Sequence, residues 1–571
     1  MRPKLNVGWL VLLSIVGCAA PLPKDSAPAS GRPEAVGLPK TITIGALNGV
    51  KSYGSFEYPG GGLASLSEIH SNGLVTNGVK GGLEPRLAAQ LPSFSDQTIV
   101  LLPDGRMQTT WKLRPNVKWH DGTPFTAEDI VFSAAVRRDP NAPAAESGTS
   151  YRFVERVDAP DPLTAVITWQ TTYFKPLDMP LAELWPYPKH LLEDVYRAGD
   201  AAGFQNLAYF TSEYVHLGPF RLVDWGMGEM QVFERFDDYF LGRPKVDRVV
   251  IRTIPDTNTL FANLQSRAVD IAPEKTLPTE LVLRLRDEWQ QTGGGIVVQR
   301  QENWRYLLAQ LNLEWSRPLE IGQDVRVRRG LYAAIDLDAV RAFALPGISD
   351  NEADSFMPQG DPRAPAVGKP FARYRHDQSL ASRELADAGW SSSVGRLVNA
   401  VGDPVQLALR APPIDAKELS VIAQFWRALG IEVTEEVVPP ARQQDREYRA
   451  KFSAFEMQSR EAGDNIVANF DSRRRPTPES GYVGSNPTSY SNPAMDRLID
   501  RLSGTLDQPE QGAILREIGE TLAADLPVLP TYFRVQMASV IKGVRALAED
   551  YPGTTQARGL ARNAYLWDRD L

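Results

Sequence analysis

Histidine, cysteine, carboxylate and arginine side chains are the groups with which this chain could do chemistry, and their spacing narrows the options. The five histidines, His70, His120, His190, His216 and His376, are scattered, and none stands in an HExxH pair. His120-Asp121 has the composition of an acid/base couple, but adjacent residues on a strand point to opposite faces. The chain has neither a GxSxG elbow nor a Walker-type phosphate loop. Gly60-Gly61-Gly62 and Gly293-Gly294-Gly295 lack the flanking residues of a phosphate cradle and read as loops. A single cysteine, Cys18, excludes an intramolecular disulfide. Without a second cysteine or a histidine cluster a protein-only transition-metal site is weak, so nickel, if bound, needs an external chelator. The expectation is no catalytic residue, no protein-made metal site and no cofactor.

Arg473-Arg474-Arg475, followed by Pro476, can hold a carboxylate or phosphate by bidentate contacts. A solvated loop is the plainer use of such a run. A formal net charge of −8 makes the chain a poor nucleic-acid binder. Hydrophobic residues at 43% and charged residues at 23% are ordinary for a soluble globular protein. At 571 residues the chain exceeds one ordinary core, which predicts two or three domains.

The first residues form a separate signal. Arg2 and Lys4 precede an apolar run from Val7 to Val16, and Ile15-Val16-Gly17-Cys18 follows. Charge, short apolar core and small residue make a secretion signal, too short to serve comfortably as a permanent span. A buried N-terminal helix is the alternative. The tetrapeptide resembles a bacterial lipobox, in which the cysteine becomes the lipidated first residue. Residues 19–39, rich in Pro, Ala, Ser and Gly, read as a flexible tether.

The elements that must position any site begin with Lys40 to Leu47, whose Thr/Ile alternation predicts a strand. Leu63 to Val75 reads as a helix. Trp111 to Ser133 is a strand-turn-helix unit. Trp111, Leu113, Val117 and Trp119 alternate, His120-Asp121-Gly122-Thr123-Pro124 turns, and Thr126 caps a helix with acids in its first turn. Asp139 to Pro143 reads as a loop. Strands are expected at Thr164–Trp169, Met230–Arg235 and Val249–Ile254, and a helix capped by Thr257 runs to Ser266. The clearest amphipathic helix is Asp415 to Leu429, capped by Asp415 and ended by Gly430, with a strand following over Ile431–Val438.

The ordered fragments WKLRPNVKWHDGTPFTAEDIVFS, Pro188-Lys189-His190, Gly218-Pro219-Phe220, the Val325–Asp336 helix, Ala388-Gly389-Trp390, Tyr490-Ser491-Asn492-Pro493 and Asp525-Leu526-Pro527 together resemble the family 5 extracellular solute-binding proteins, the peptide- and nickel-binding receptors of ABC importers. The resemblance runs from about Lys40 to about Gly543. It implies an α/β, two-lobed periplasmic-binding-protein-like fold, type II with an additional inserted domain, closing on a central cleft. The implied division is a signal peptide over 1–18, the tether over 19–39, lobe I over 40–302 with an insert at about 63–200, lobe II over 303–528 and a return to lobe I over 529–571. The implied function is capture of a peptide or peptide-like solute and its delivery to a permease, without covalent chemistry. Partners would be the solute, ABC permease and ATPase subunits, and a membrane reached through the Cys18 lipid. Nucleic acid is excluded, and a monomer is expected, in the cell envelope, either the periplasm or the outer face of the cytoplasmic membrane. A same-fold receptor for a non-peptide solute or for signalling, and a secreted lipoprotein hydrolase, are the alternatives.

In the resembling receptors an aspartate after a strand pairs with the peptide's amino group. The corresponding stretch is Phe455 to Asn465, FEMQSREAGDN, where the usual aromatic-Asp pair is missing and Gly463-Asp464-Asn465 stands. Asp464, with Asn465 and Arg460, is the candidate anchor; a solvated turn is the alternative its composition favours. Arg473, Trp304, Tyr306 and Asn312, and Trp185 and Tyr187 from the opposite lobe, are further candidates for orienting or stacking on a ligand. Core packing is the alternative for each aromatic.

Overall fold

Two long strands organise the molecule. In the computed structural model, which describes residues 39–50, 52–53, 63–79, 81–139, 150–179, 184–226, 229–413, 416–551 and 559–570, Gly295–Ala309 and Val528–Ile541 pair antiparallel at the middle of a ten-stranded sheet. Residues Lys40–Leu571 form one unit. Outward on one side lie Phe455–Glu461, Gln406–Ala411 and Glu432–Val437; on the other lie Ile271–Ala272, Thr41–Ala46, Arg248–Thr253, Met230–Arg235 and Phe220–Gly226.

The long strands join two cores. Val298, Ala538 and Val540 belong to a cluster with Ile42, Ile44, Phe233 and Trp567. Trp304, Leu307, Val528 and Leu529 belong to a larger one with Leu331, Phe356, Trp426 and Leu522. Between them the pairing register shifts at Gln301/Trp304, and it shifts again at Arg305/Tyr306, just inside the larger core. A shift of this kind bends and twists a strand, which lets one sheet serve two cores.

A third cluster sits on a separate four-stranded antiparallel sheet, ordered Ile99–Leu101, Met107–Lys112, Thr164–Trp169, Val154–Asp161. Its core is built on Trp111, Trp119 and Trp169, all fully buried. The strand-turn-helix unit is present here, with the helix over Ala127–Arg138. Thr126 holds the N-cap position as expected, in a capping box with Asp129. The Asp129 carboxylate accepts from the Thr126 N–H at 2.9 Å and also from the Lys189 N–H at 3.0 Å.

Other elements depart from expectation for identifiable reasons. Leu63–Ile69 is a tight 3-10 turn, and Val75–Asn77 is already a strand paired with Leu83–Pro85. The Thr257–Gln265 helix is capped by Asp256, whose carboxylate accepts from Thr259 N–H at 2.7 Å. The amphipathic helix begins at Leu419; Asp415 lies outside the described residues, and Glu418 turns inward instead of capping. Cys18, the signal, the tether up to residue 38, Gly60-Gly61-Gly62 and the Pro140–Pro143 segment also lie outside them. Gly330 sits inside the Val325–Ala333 helix because a Cβ there would stand 2.7 Å from Leu385, on the helix packed against it.

Candidate functional site

His120 is buried, with Nε2 donating to the Gly218 carbonyl at 3.0 Å and Nδ1 accepting from the His216 N–H at 3.3 Å. Burial pushes its imidazole down to about 4; burial, then the His120 charge, pushes His70 down to about 3. Asp121 faces away and pairs with His190 at 2.7 Å. His70, His120 and His216 are thus neutral groups packed among Tyr214, Phe233 and Trp119 rather than acids or bases facing solvent. Among the described residues no three His, Cys, Asp or Glu side chains are grouped as a metal ion requires.

A cavity of about 490 Å³ opens where the four-stranded sheet's layer meets the larger core. One wall comes from Leu83, Phe94 and the Phe174–Asp178 segment, which follows the strand Thr164–Trp169. The other comes from Arg363, Gly463-Asp464-Asn465 and Gln511. The chain reaches it by a forced route. The strand Phe455–Glu461 ends, Gly463 takes φ 110°, a conformation that strains any L side chain, and Asp464 starts a 3-10 turn. Gly463 N–H is tied to the Phe356 carbonyl at 2.9 Å.

Asp464 is therefore not in a solvated turn. Its side chain is 5% exposed and gripped from two sides. Lys175 Nζ stands 2.5 Å from Oδ1 and donates to Asn465 Oδ1 at 2.6 Å. Arg363 Nη1 donates to Oδ2 at 2.7 Å, while its Nη2 pairs with Asp361 at 2.9 Å. Burial alone would raise the Asp464 carboxyl. The Lys175 and Arg363 charges and their hydrogen bonds outweigh that, and bring it down to about 2. Asp178, 3.8 Å from Lys175, goes the other way, raised by burial despite the lysine. Glu461 is raised as well, by loss of water and then by the charge of Glu302. Asp464 is thus firmly ionised and already paired, whereas Asp178 and Glu461 are held less strongly in the charged form.

The remaining candidates are spread over the molecule. Asn465 lines the same cavity as Asp464. Tyr306 and Arg460 line a second cavity of about 390 Å³, with Gln458 and Arg446. Asn312 lines a third, of about 830 Å³, whose wall includes Arg475. Trp304 lines none of these; it is fully buried against Tyr306, Phe356 and Phe371. Trp185 is buried beside His216, and Tyr187 lies under the Arg137 guanidinium at 4.7 Å. Arg473 is paired with Asp471 at 2.8 Å and Asp500 at 2.7 Å on the surface. Lys175 and Arg363 were not expected; in sequence they lie 289 and 101 residues from Asp464.

The chain matches known proteins over most of its length. The family described as bacterial extracellular solute-binding proteins, family 5 Middle, matches residues 84–469. The oligopeptide-binding protein AppA of Bacillus subtilis is 25% identical over 347 residues, which span 59% of this chain and 59% of that protein. Heme-binding protein A of Haemophilus influenzae is 23% identical, covering 78% of this chain and 80% of its own. Among solved structures, NikA from Brucella suis in complex with Fe(III)-EDTA superposes with a TM-score of 0.72 at 18% identity, over 93% of this chain and 100% of that one.

Proposed function

This chain belongs to the bacterial extracellular solute-binding proteins of family 5, and we propose that it captures a peptide or peptide-like solute for an ABC importer. It performs no covalent chemistry; binding and release are its activity. The observation that carries the reading is the 490 Å³ cavity between two separately built layers, mixing apolar walls with a few placed polar groups. Ligand sites of small molecules have this size and character. The lobes are 40–302 with its insert at about 63–200, 303–528, and the return over 529–571. Closure is a hinge motion about the long strands, whose first register shift, at Gln301/Trp304, lies between the two cores. Of the candidate residues, Asn465 is assigned to contact with the solute and Asp464 to the wall beside it; Tyr306 and Arg460 would meet a longer ligand in the second cavity. A micromolar solute needs about 8 kcal/mol net, within reach of an enclosed site with a handful of contacts.

A non-peptide solute is the second reading. AppA is named for oligopeptides, and Heme-binding protein A for heme; the Brucella NikA structure holds Fe(III)-EDTA. A broad peptide pool separates the two. At least one short peptide is expected to raise the melting temperature by mass action and to reduce the radius of gyration in solution scattering. A pool that does neither, while heme or a metal chelate does both, overturns the peptide reading.

The partners are a permease and its ATPase, and the place of action is outside the cytoplasmic membrane. No helix among the described residues is long and apolar enough to cross a membrane. Anchoring is assigned to Cys18, where several acyl chains would hold far more firmly than one. Cys18→Ser is expected to abolish metabolic palmitate labelling and to release the protein from membranes or leave it unprocessed. Equal labelling of the variant removes the lipoprotein assignment.

A further inference from the structure

We propose that Lys175 is a specificity-determining residue: its ammonium fills the place of a ligand amine at Asp464, so that the cavity takes solutes whose end at Asp464 carries no free amino group. The proposal rests on this cavity being the solute site.

The geometry is that of a bound alkylammonium. Lys175 Nζ makes contacts of 2.5 Å to Asp464 Oδ1 and 2.6 Å to Asn465 Oδ1. It comes from the opposite wall, on the segment after Thr164–Trp169, as a ligand would come from the cavity. Arg363, on the same wall as Asp464, already occupies the other oxygen at 2.7 Å. Asp464 is 5% exposed and Lys175 13%, so little of either remains open to a third partner.

An entering ammonium must therefore expel Lys175. The displaced lysine would keep only Asp178, which stands 3.8 Å away and is itself raised by burial. A cation forced to exchange one buried ion pair for another gains little, because it bears its own desolvation as well. A solute with a blocked or neutral end leaves the pair intact and meets the amides of Asn465, Gln508 and Gln511 beside apolar Phe94 and Leu177. Unpaired polar groups are what such a site rejects most strongly.

Two arms test this. Lys175→Ala opens room for an alkylammonium. We expect n-butylammonium chloride to raise the melting temperature of the variant and not of wild type, and n-butanol to raise neither. Lys175→Met, which keeps the stem, serves if the alanine variant does not fold, with methylammonium as the probe. The second arm uses a pentapeptide pool with free amino termini and the same pool N-acetylated. Wild type is expected to favour the acetylated pool about tenfold, and the variant to reverse that preference, in line with coupling energies at close charge pairs. The proposal is overturned if the ammonium acts on both proteins alike or on neither. It is overturned equally if wild type prefers free amines, as it would if Glu461 were the anchor, or if the variant weakens both pools alike. Rescue by the ammonium with no peptide bound by either protein supports Lys175 and removes the peptide reading. Peptide binding without preference and without rescue does the reverse.

Discussion

Asp464→Asn is expected to cost the unliganded protein about 3–5 kcal/mol, the range for breaking a buried ion pair from one side. The side chain keeps its shape and one acceptor, but Lys175 and Arg363 lose the charge they enclose. Asp361 still holds Arg363, whereas Lys175 retains the neutral Asn465 oxygen at 2.6 Å and, for charge, the more distant Asp178. Lys175 therefore carries most of the cost. The pH dependence has a definite sign. The Asp464 carboxyl is lowered in the folded chain to about 2 from an ordinary 3.8. A depressed carboxyl stabilises the fold above its unfolded value and loses that stabilisation as pH falls towards its folded value. Urea unfolding should show the full gap between wild type and variant at neutral pH, a gap that narrows from about pH 4 down to about pH 2. A double cycle with Lys175→Met should be strongly non-additive, because the two changes remove one interaction. Equal stability of Asp464→Asn and wild type at neutral pH would mean that water reaches the carboxylate and that the closed pair does not persist in solution.

In the solvated turn that its composition favours, Asp464 would be hydrated and its replacement silent; the structure buries it instead. The difference shows what was legible and what was not. The unit around Trp111 could be read because it is local: alternation, turn residues and first-turn acids lie within about two dozen positions, and the structure contains it. Asp464 could be found by resemblance, since it follows a strand at a recognisable distance from Tyr490-Ser491-Asn492-Pro493. Its partners could not, because no periodicity links Lys175 to a position 289 residues away. The histidines show the same limit. His70, His120 and His216 are scattered in sequence, and only the fold packs them together. Trp304 was ambiguous for a different reason. The last six residues of Gly295–Ala309 are all buried, so alternation carries no information about which face meets a ligand.

The largest effect away from the cavity is expected at Glu418, where Asp415 was expected to begin the helix. Glu418 holds the N-terminal position of Leu419–Ala428 without capping it. Its carboxylate points inward, 2.6 Å from Arg305 Nη2, and accepts from the Tyr532 hydroxyl with its other oxygen. The Arg305 and Glu418 side chains are 1% and 6% exposed. Arg305 stands opposite Tyr532 in the register and beside the second shift, so the pair ties the outer helix to the crossing strands. Glu418→Ala removes the carboxylate that faces the buried Arg305 guanidinium and should cost about 3–5 kcal/mol. Arg305→Met/Glu418→Leu removes both charges and fills the space with apolar atoms. Such replacements are often neutral, so the double variant should recover most of the loss, short of about 1–3 kcal/mol for the Tyr532 hydroxyl left without its acceptor. Thermal and urea unfolding of the three proteins decide it. A double variant less stable than Glu418→Ala would mean that the charges specify the packing of these strands, and that apolar side chains of similar volume cannot replace them.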